Sequence, residues 1–470
     1  MVKRKVKKNL SVVGASLTLL ISFLVVIIGI RMGIGMSAPL MAGAFAAGLF
    51  GVYFGFEWKE LQSAMTEGII NALPAIIILM LVGMIMGIWI IGGTVPTMVY
   101  YGLKLLSPKM FLAASFILCA IVSTSTGTSF GTIGTIGLAL IGIGEGLGLP
   151  LPMVAGAIVS GSYFGDKMSP LSDTTNVAPA MAGAELFDHI GSMFYTTAPA
   201  FIVSLIIYVA LGMKFGGQGT DAKVVGDMMA TINQTFNVSL WTLLPPLAVI
   251  TMSLLHIPAI PSMSIGVIIS IVWAMITQGA GFKAIMDASM GGYVCETGLA
   301  ALDNLFTRGG MNNMLATNAL IIIAAGFGGI LERIGVLSIV VNSFLKKVRS
   351  TGGLILSVLI SCYVVLLVSG NVMMAIILPG RTFKEVFKER NIEPKVLSRT
   401  LEDAGTLGGA IIPWSTAGLL IYGVLRVPVQ AYAPYAFLNW IVLFFSVIYG
   451  YTGFAIFETK TNKQEVLYND

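Results

Sequence analysis

The chain has 470 residues, 56% of them hydrophobic and only 10% charged, with a mean hydropathy of +0.91 and a net charge of +5. A water-soluble domain could not hide so much apolar surface, so the composition excludes the soluble classes and defines an integral membrane protein. No GxxxxGK[ST] phosphate loop is present, His189 and His256 stand far apart, and Cys119, Cys295 and Cys362 are scattered singly, which argues against ATP-driven work, a metal or haem site and a disulfide framework.

In chain order, Lys3, Arg4, Lys5, Lys7 and Lys8 precede the first apolar run, 11–31, which is too long for the core of a signal peptide. It is expected to be the first span, with a cytoplasmic N-terminus. Further spans are predicted at 36–55, 74–93, 196–213, 238–254, 262–278, 314–333 and 435–455. The stretches 151–178 and 398–425 are long enough to cross but are interrupted by polar, Pro and Gly residues. That makes about ten crossings in an all-α membrane fold.

Two apolar blocks, 110–140 and 352–380, have polar centres at Ser123–Ser129 and Ser369–Asn371. Each half is too short to span, so each block is expected to be a re-entrant hairpin. With both hairpins re-entrant, the N-terminus, Lys59, Lys346, Lys347, Arg349, the 381–399 segment, Lys460 and Lys463 share one side, as the positive-inside rule demands. Both termini are then cytoplasmic. The segment 279–313, with Glu296 and Asp303, is expected not to span. Glu332 and Arg333 are expected to pair at an interface.

The chain also repeats itself. Gly87–Gly93 matches Gly329–Gly335 at an offset of 242, and Gly165–Pro170 matches Gly408–Pro413 one residue later. With five crossings and one hairpin in each half, the second copy is inverted, an arrangement common in secondary transporters. The expected division is 1–237 and 238–470, two membrane repeats in one integral unit.

Irregular backbone at membrane depth is tolerated only where it is buried or lines a polar cavity. Asp166 and Asp173 sit in such a break, among Ser169, Ser172, Thr174, Thr175 and Asn176. Carboxylate, hydroxyl, amide and freed carbonyl oxygens are what a dehydrated Na⁺ needs, and a carboxylate there can exchange the ion for a proton. The alternative for either Asp is helix capping, or for Asp166 a pair with Lys167. Ser125, Thr126 and Thr128 in the first hairpin tip are further candidate ligands, and Asn371, Asp403 and Ser415 are the second-half candidates. Glu402 is weighed beside Asp403, either as a site residue or as a solvated charge.

The residues Gly156–Thr175, with Leu186–Ile190 and Tyr195–Pro199, resemble the NhaC family of bacterial sodium/proton antiporters, and length and hydropathy extend the resemblance over nearly the whole chain. It implies a secondary transporter of the inner membrane, not an enzyme, moving Na⁺ or Li⁺ against H⁺ through inverted repeats with hairpins. The same family includes sodium-coupled malate/lactate exchangers and amino-acid transporters, so carboxylate or amino-acid exchange stands as the rival, and an ion channel as the rival of another class. No cofactor beyond the transported ions is expected. The expected partners are the lipid bilayer, Na⁺ and H⁺, with no nucleic acid; a homodimer is left open.

Overall fold

The computed structural model describes residues 11–32, 35–105, 107–216, 222–255, 257–345 and 349–459. His256, Lys346, Lys347, Lys460, Lys463 and the Lys3–Lys8 cluster lie outside the described residues. Among the described residues the regular elements are all helical. Seven helices among the described residues are long and apolar enough to cross a membrane, or up to nine if each of two bent pairs is one span.

The chain opens with α1 (Val12–Arg31), α2 (Ser37–Tyr53) and α3 (Trp58–Ile91). The span expected at 74–93 thus begins at Trp58. Lys59, Glu60 and Glu67 disguise its first turns as a loop, but Glu57 and Glu60 form a capping box that starts the helix there. Pro74 lies inside α3 without ending it. Next come α4 (Thr94–Leu105) and α5 (Phe111–Thr126), then α6 (Ser129–Thr132), which runs through a π turn at Ile133–Gly137 into α7 (Leu138–Gly146). The first half continues through α8 (Leu151–Met168), α9 (Asp173–Ala182) and α10 (Leu186–Phe215).

α11 (Ala222–Thr235) and α12 (Leu244–Leu254) form a bent pair, with an angle of 88° between them. α13 (Ala259–Gln278) follows, and the segment expected not to span holds the short α14 (Phe282–Gly291) and α15 (Ala300–Phe306) and the start of a 3-10 turn at Asn312–Met314. Asp303 there accepts from the Thr297 and Gly298 amides, which closes a local turn. The second half then runs through α16 (Leu315–Ile334), α17 (Val336–Leu345), α18 (Thr351–Ser369) and α19 (Val372–Glu389). It ends with α20 (Pro394–Leu401), a π turn at Glu402–Thr406, α21 (Leu407–Gly409), α22 (Thr416–Leu425), α23 (Val429–Tyr432) and α24 (Phe437–Thr452).

Element boundaries recur at an offset of 243 positions: Ser129 and Val372, Leu151 and Pro394, Asp173 and Thr416 each open equivalent helices. The two hairpin tips recur as well. Gly127 and Gly370 end α5 and α18 with φ of +70° and +63°, a conformation that glycine adopts without steric cost. The next residue in each case caps the returning arm: Thr128 Oγ1 accepts from Gly131 N at 3.2 Å, and Asn371 Oδ1 from Met374 N at 3.2 Å. A Gly–cap dipeptide therefore turns the chain with almost no loop. Both returning arms are longer than the hydropathy blocks suggest, reaching Gly146 and Glu389. The arms Ser129–Gly146 and Thr351–Ser369 are each long and apolar enough to cross, so the expectation that every half is too short to span fails for these two.

Contacts show that the second copy is inverted. α5 runs parallel to α8, with Phe116 beside Gly161 and Thr124 beside Gly165. α10 runs antiparallel to α5, bringing Gly212 to Lys109 and Tyr208 to Phe116. α20 runs parallel to α10, through His189 to Ser398 and Thr196 to Asp403. α20 therefore points opposite to its equivalent, α8.

Helices approach closely where side chains are absent, since helix association in lipid depends on packing. A Cβ on Gly161 would lie 2.2 Å from Phe116 O, and one on Gly165 2.3 Å from Thr124 N. Because the obstacle is backbone, α5 and α8 must separate to admit a methyl group. Gly165→Ala is expected to cost about 1–3 kcal/mol and to lower the thermal midpoint of the purified protein. An unchanged midpoint would contradict this packing.

Candidate functional site

The two breaks and the two hairpin tips meet. Pro170 cannot continue α8, and Ser172 in extended conformation restarts the helix as α9. Across the repeat, the chain breaks between Gly409 and Thr416, and Ser415 Oγ accepts from Gly418 N at 2.8 Å to start α22. Gly127 packs on Leu171 of the first break, while Gly370 O accepts from Thr416 N at 2.9 Å at the second. Each tip thus plugs the broken helix of its own repeat.

Asp166 is the hub of the first junction. Its Oδ2 accepts from Ser129 Oγ at 2.6 Å and its Oδ1 from Ser172 Oγ at 2.6 Å, so hairpin, α8 and α9 converge on one carboxylate. Two hydroxyl donors on one carboxyl group fix both of its oxygens in place. Ser172 Oγ also lies 3.1 Å from Thr174 Oγ1.

Beside this junction is a cavity of about 620 Å³. Asp166, Asp173, Thr174, Thr126, Thr128 and Asn371 line it, together with Ser129 and Ser172. Asn71 and Pro74 of α3, Tyr163, Thr406, Thr416 and Ile257–Ala259 complete the wall. The cavity therefore touches both hairpin tips and both broken helices.

Other expected ligands serve the backbone. Thr175 Oγ1 donates to Asp166 O at 3.2 Å and Lys167 O at 3.0 Å, and Asn176 Nδ2 donates to Pro170 O at 2.9 Å and Ser172 O at 2.7 Å. Ser169 is buried and its Oγ accepts from Leu171 N at 3.3 Å. These three residues satisfy the carbonyls and amide that the break frees. Ser125 is exposed and donates to Ile121 O at 2.8 Å, the back-bonding usual for helix hydroxyls. Ser415 is buried and spends its hydroxyl on Gly409 O and Ile412 O. None of Ser125, Ser169, Thr175, Asn176 and Ser415 is among the cavity-lining residues.

Asp403 lies outside the cavity wall as well. Its carboxylate pairs with Lys167, both side chains fully buried, and Thr196 Oγ1 donates to it at 3.1 Å. Lys167 therefore does not neutralise its neighbour Asp166; it ties the two repeats together. The expected Glu332–Arg333 pair is replaced by Arg333 with Glu60, at 3.6 Å. Adjacent helical residues point about 100° apart, whereas α3 packs closely against α16 and presents Glu60 to it.

Three lining residues, Asn71, Tyr163 and Thr406, are not among those expected from the sequence. Tyr163 stands three positions before Asp166 on α8 and so shares its face, a usable signal. Asn71, an amide in an apolar run just before Pro74, carries another. Thr406 carries none, because a π turn alters the helical phase there.

Inverted repeats, paired hairpins and a cavity at broken helices that carries carboxyl, amide and hydroxyl groups in its wall define the class: a multi-pass secondary transporter embedded in the lipid bilayer. The model of the Na⁺/H⁺ antiporter family matches residues 161–454, and the chain belongs to that family. It is 38% identical to the malate-2H⁺/Na⁺-lactate antiporter of Bacillus subtilis over 96% of this chain and 95% of that one. It is 39% identical to the Na⁺/H⁺ antiporter NhaC of Alkalihalophilus pseudofirmus over 89% and 90%. Its identity to the arginine/ornithine antiporter ArcD of Halobacterium salinarum is 35%, over 93% and 91%.

Proposed function

We propose that this chain exchanges Na⁺, and Li⁺, for H⁺ across the bacterial inner membrane, with both termini cytoplasmic and the halves 1–237 and 238–470 acting as one unit. The observation that carries the reading is Asp166: a carboxyl group held by two hydroxyls at a helix break and open to the cavity. Asp166, Asp173, Thr128 and Asn371 supply the oxygens for the ion, and Ser129 and Ser172 orient the carboxylate. Among the described residues the lining contains no Lys or Arg, which suits a cation.

A second reading rests on the cavity's size. About 620 Å³ is far more than one ion fills and falls within the range of small-solute pockets. The N-termini of α9, α19 and α22 reach its wall through Asp173, Val372 and Thr416, and such ends favour carboxylates. Exchange of small carboxylates or amino acids through the same site follows from that geometry.

One assay separates the two. Proteoliposomes holding the purified protein are loaded acidic with a pH-sensitive dye, and NaCl, LiCl, KCl, sodium malate or sodium lactate is added outside. Saturable alkalinisation with NaCl and none with KCl is expected. A response confined to malate or lactate would replace the first reading with the second. Cross-linking in the membrane tests the homodimer.

A further inference from the structure

Glu402, weighed from the sequence as a site residue or a solvated charge, is not solvated and has no part in the site described so far. It is fully buried in the π turn of the second broken helix, and neither carboxyl oxygen has a hydrogen-bond partner. The hydroxyls of Thr174 and Thr406 flank it, and both residues line the cavity. Thr406 Oγ1 is itself buried and without a partner.

The surroundings can be taken element by element. α8 presents Asp166 and Lys167, α9 presents Thr174, and α18 presents Cys362. α19 contributes Ala375 and Ile376 against Gly405, and α24 contributes Asn439, which donates to Leu407 O. On its own helix lie Asp403, already paired with Lys167, and Arg399, a buried cation whose Nη1 donates to Ala455 O at 3.0 Å and which also faces Asp403. Lys167 and Arg399 thus face Asp403 and Asp166, with Asp173 of α9 a further acid beside Asp166 at the cavity, so the cluster already holds enough acid without a Glu402 anion.

Two carboxyl groups near one cavity therefore sit in different environments. Asp166 accepts two hydroxyl bonds of 2.6 Å. Glu402 has the Thr174 and Thr406 hydroxyls beside it but neither in hydrogen-bond geometry, so an anion there has less support than one at Asp166. Environments that separate two acids in this way assign them different roles.

We infer that Glu402 carries the exchanged proton while Asp166 binds the cation. Na⁺ enters beside Asp166, and its charge makes the Glu402 anion tolerable. The Glu402 proton then leaves past Thr174 or Thr406 into the cavity and to the bulk. One positive charge has arrived and one has left, so the charge of the buried cluster is unchanged. On the opposite side Na⁺ departs and Glu402 takes up a proton.

The inference rests on the Na⁺/H⁺ reading, and the test separates the two. Purified wild type, Glu402→Gln and Asp166→Asn are titrated with NaCl in weakly buffered detergent, following heat and a pH indicator together. Wild type is expected to release roughly one proton per bound Na⁺, with an affinity that weakens about tenfold per unit fall in pH. Glu402→Gln is expected to bind Na⁺ with almost no proton release and a flat pH dependence. Full proton release from Glu402→Gln overturns the assignment of Glu402 alone; absence of Na⁺ binding by wild type overturns the exchange reading as well. Infrared difference spectra of wild type and Glu402→Asp keep the test open if the Gln variant does not fold. Na⁺ should remove a protonated-carboxyl band that shifts in the Asp variant, and an unshifted band, or none, contradicts the inference.

Discussion

Asp166→Asn is expected to abolish Na⁺-dependent proton flux in proteoliposomes while leaving a folded protein with a near wild-type melting midpoint. The substitution keeps the volume and the Oδ1 acceptor toward Ser172, so the junction of hairpin, α8 and α9 stays assembled. It removes the negative charge that the Ser129 and Ser172 hydroxyls converge upon and that a cation needs. Hydrogen bonds to a charged group are worth about 1.5–3 kcal/mol, so loss of either hydroxyl should weaken Na⁺ binding roughly 10- to 100-fold. Ser129→Ala and Ser172→Ala are therefore expected to show graded loss, and Asp166→Glu to be poor, since one added methylene carries the oxygens away from both hydroxyls. Flux in Asp166→Asn close to wild type would remove Asp166 from the site.

The second large effect concerns the Lys167–Asp403 pair, which joins the two repeats with both side chains fully buried. Asp403→Asn strands the Lys167 ammonium in the protein interior, and breaking a buried pair on one side costs about 3–5 kcal/mol. The single variant should be recovered in low yield and melt well below wild type. The double variant Lys167→Met with Asp403→Leu removes both charges and should recover much of the loss, because apolar replacement of a whole buried pair is often neutral. The comparison also distinguishes two roles. Asp403→Asn that melts like wild type yet fails to transport would make Asp403 part of the transport chemistry rather than a tie between repeats.

Much of this architecture is legible in the amino-acid sequence. The Ser123–Ser129 run and Ser369–Asn371 mark the hairpin tips because polar, glycine-containing backbone has few stable places at membrane depth. Pro170 and Pro413 mark the broken helices, and the Gly165–Pro170 match to Gly408–Pro413 supplies the repeat. The polarity of a break says that a cavity or a buried network is near; it does not say which hydroxyls face it. Ser125 and Thr128 look alike in sequence, yet Ser125 is exposed on the outgoing arm and bonded to Ile121 O, whereas Thr128 caps the returning arm at the cavity.

The sequence alone determined the membrane class, the hairpins, the breaks, the inverted duplication and the importance of the Asp166 region. These follow from local quantities: apolar length against bilayer thickness, helix-breaking residues, and the cost of charge in lipid. The tertiary structure decided the partners. Asp166 meets Ser129 and Ser172 rather than the adjacent Lys167, Lys167 meets Asp403 from the other repeat, and Glu402 is left with no partner among the described residues. Pairings between residues separated by up to 236 positions depend on how helices cross and rotate, and that is set by glycine contacts such as Gly161 on Phe116, which no single segment encodes.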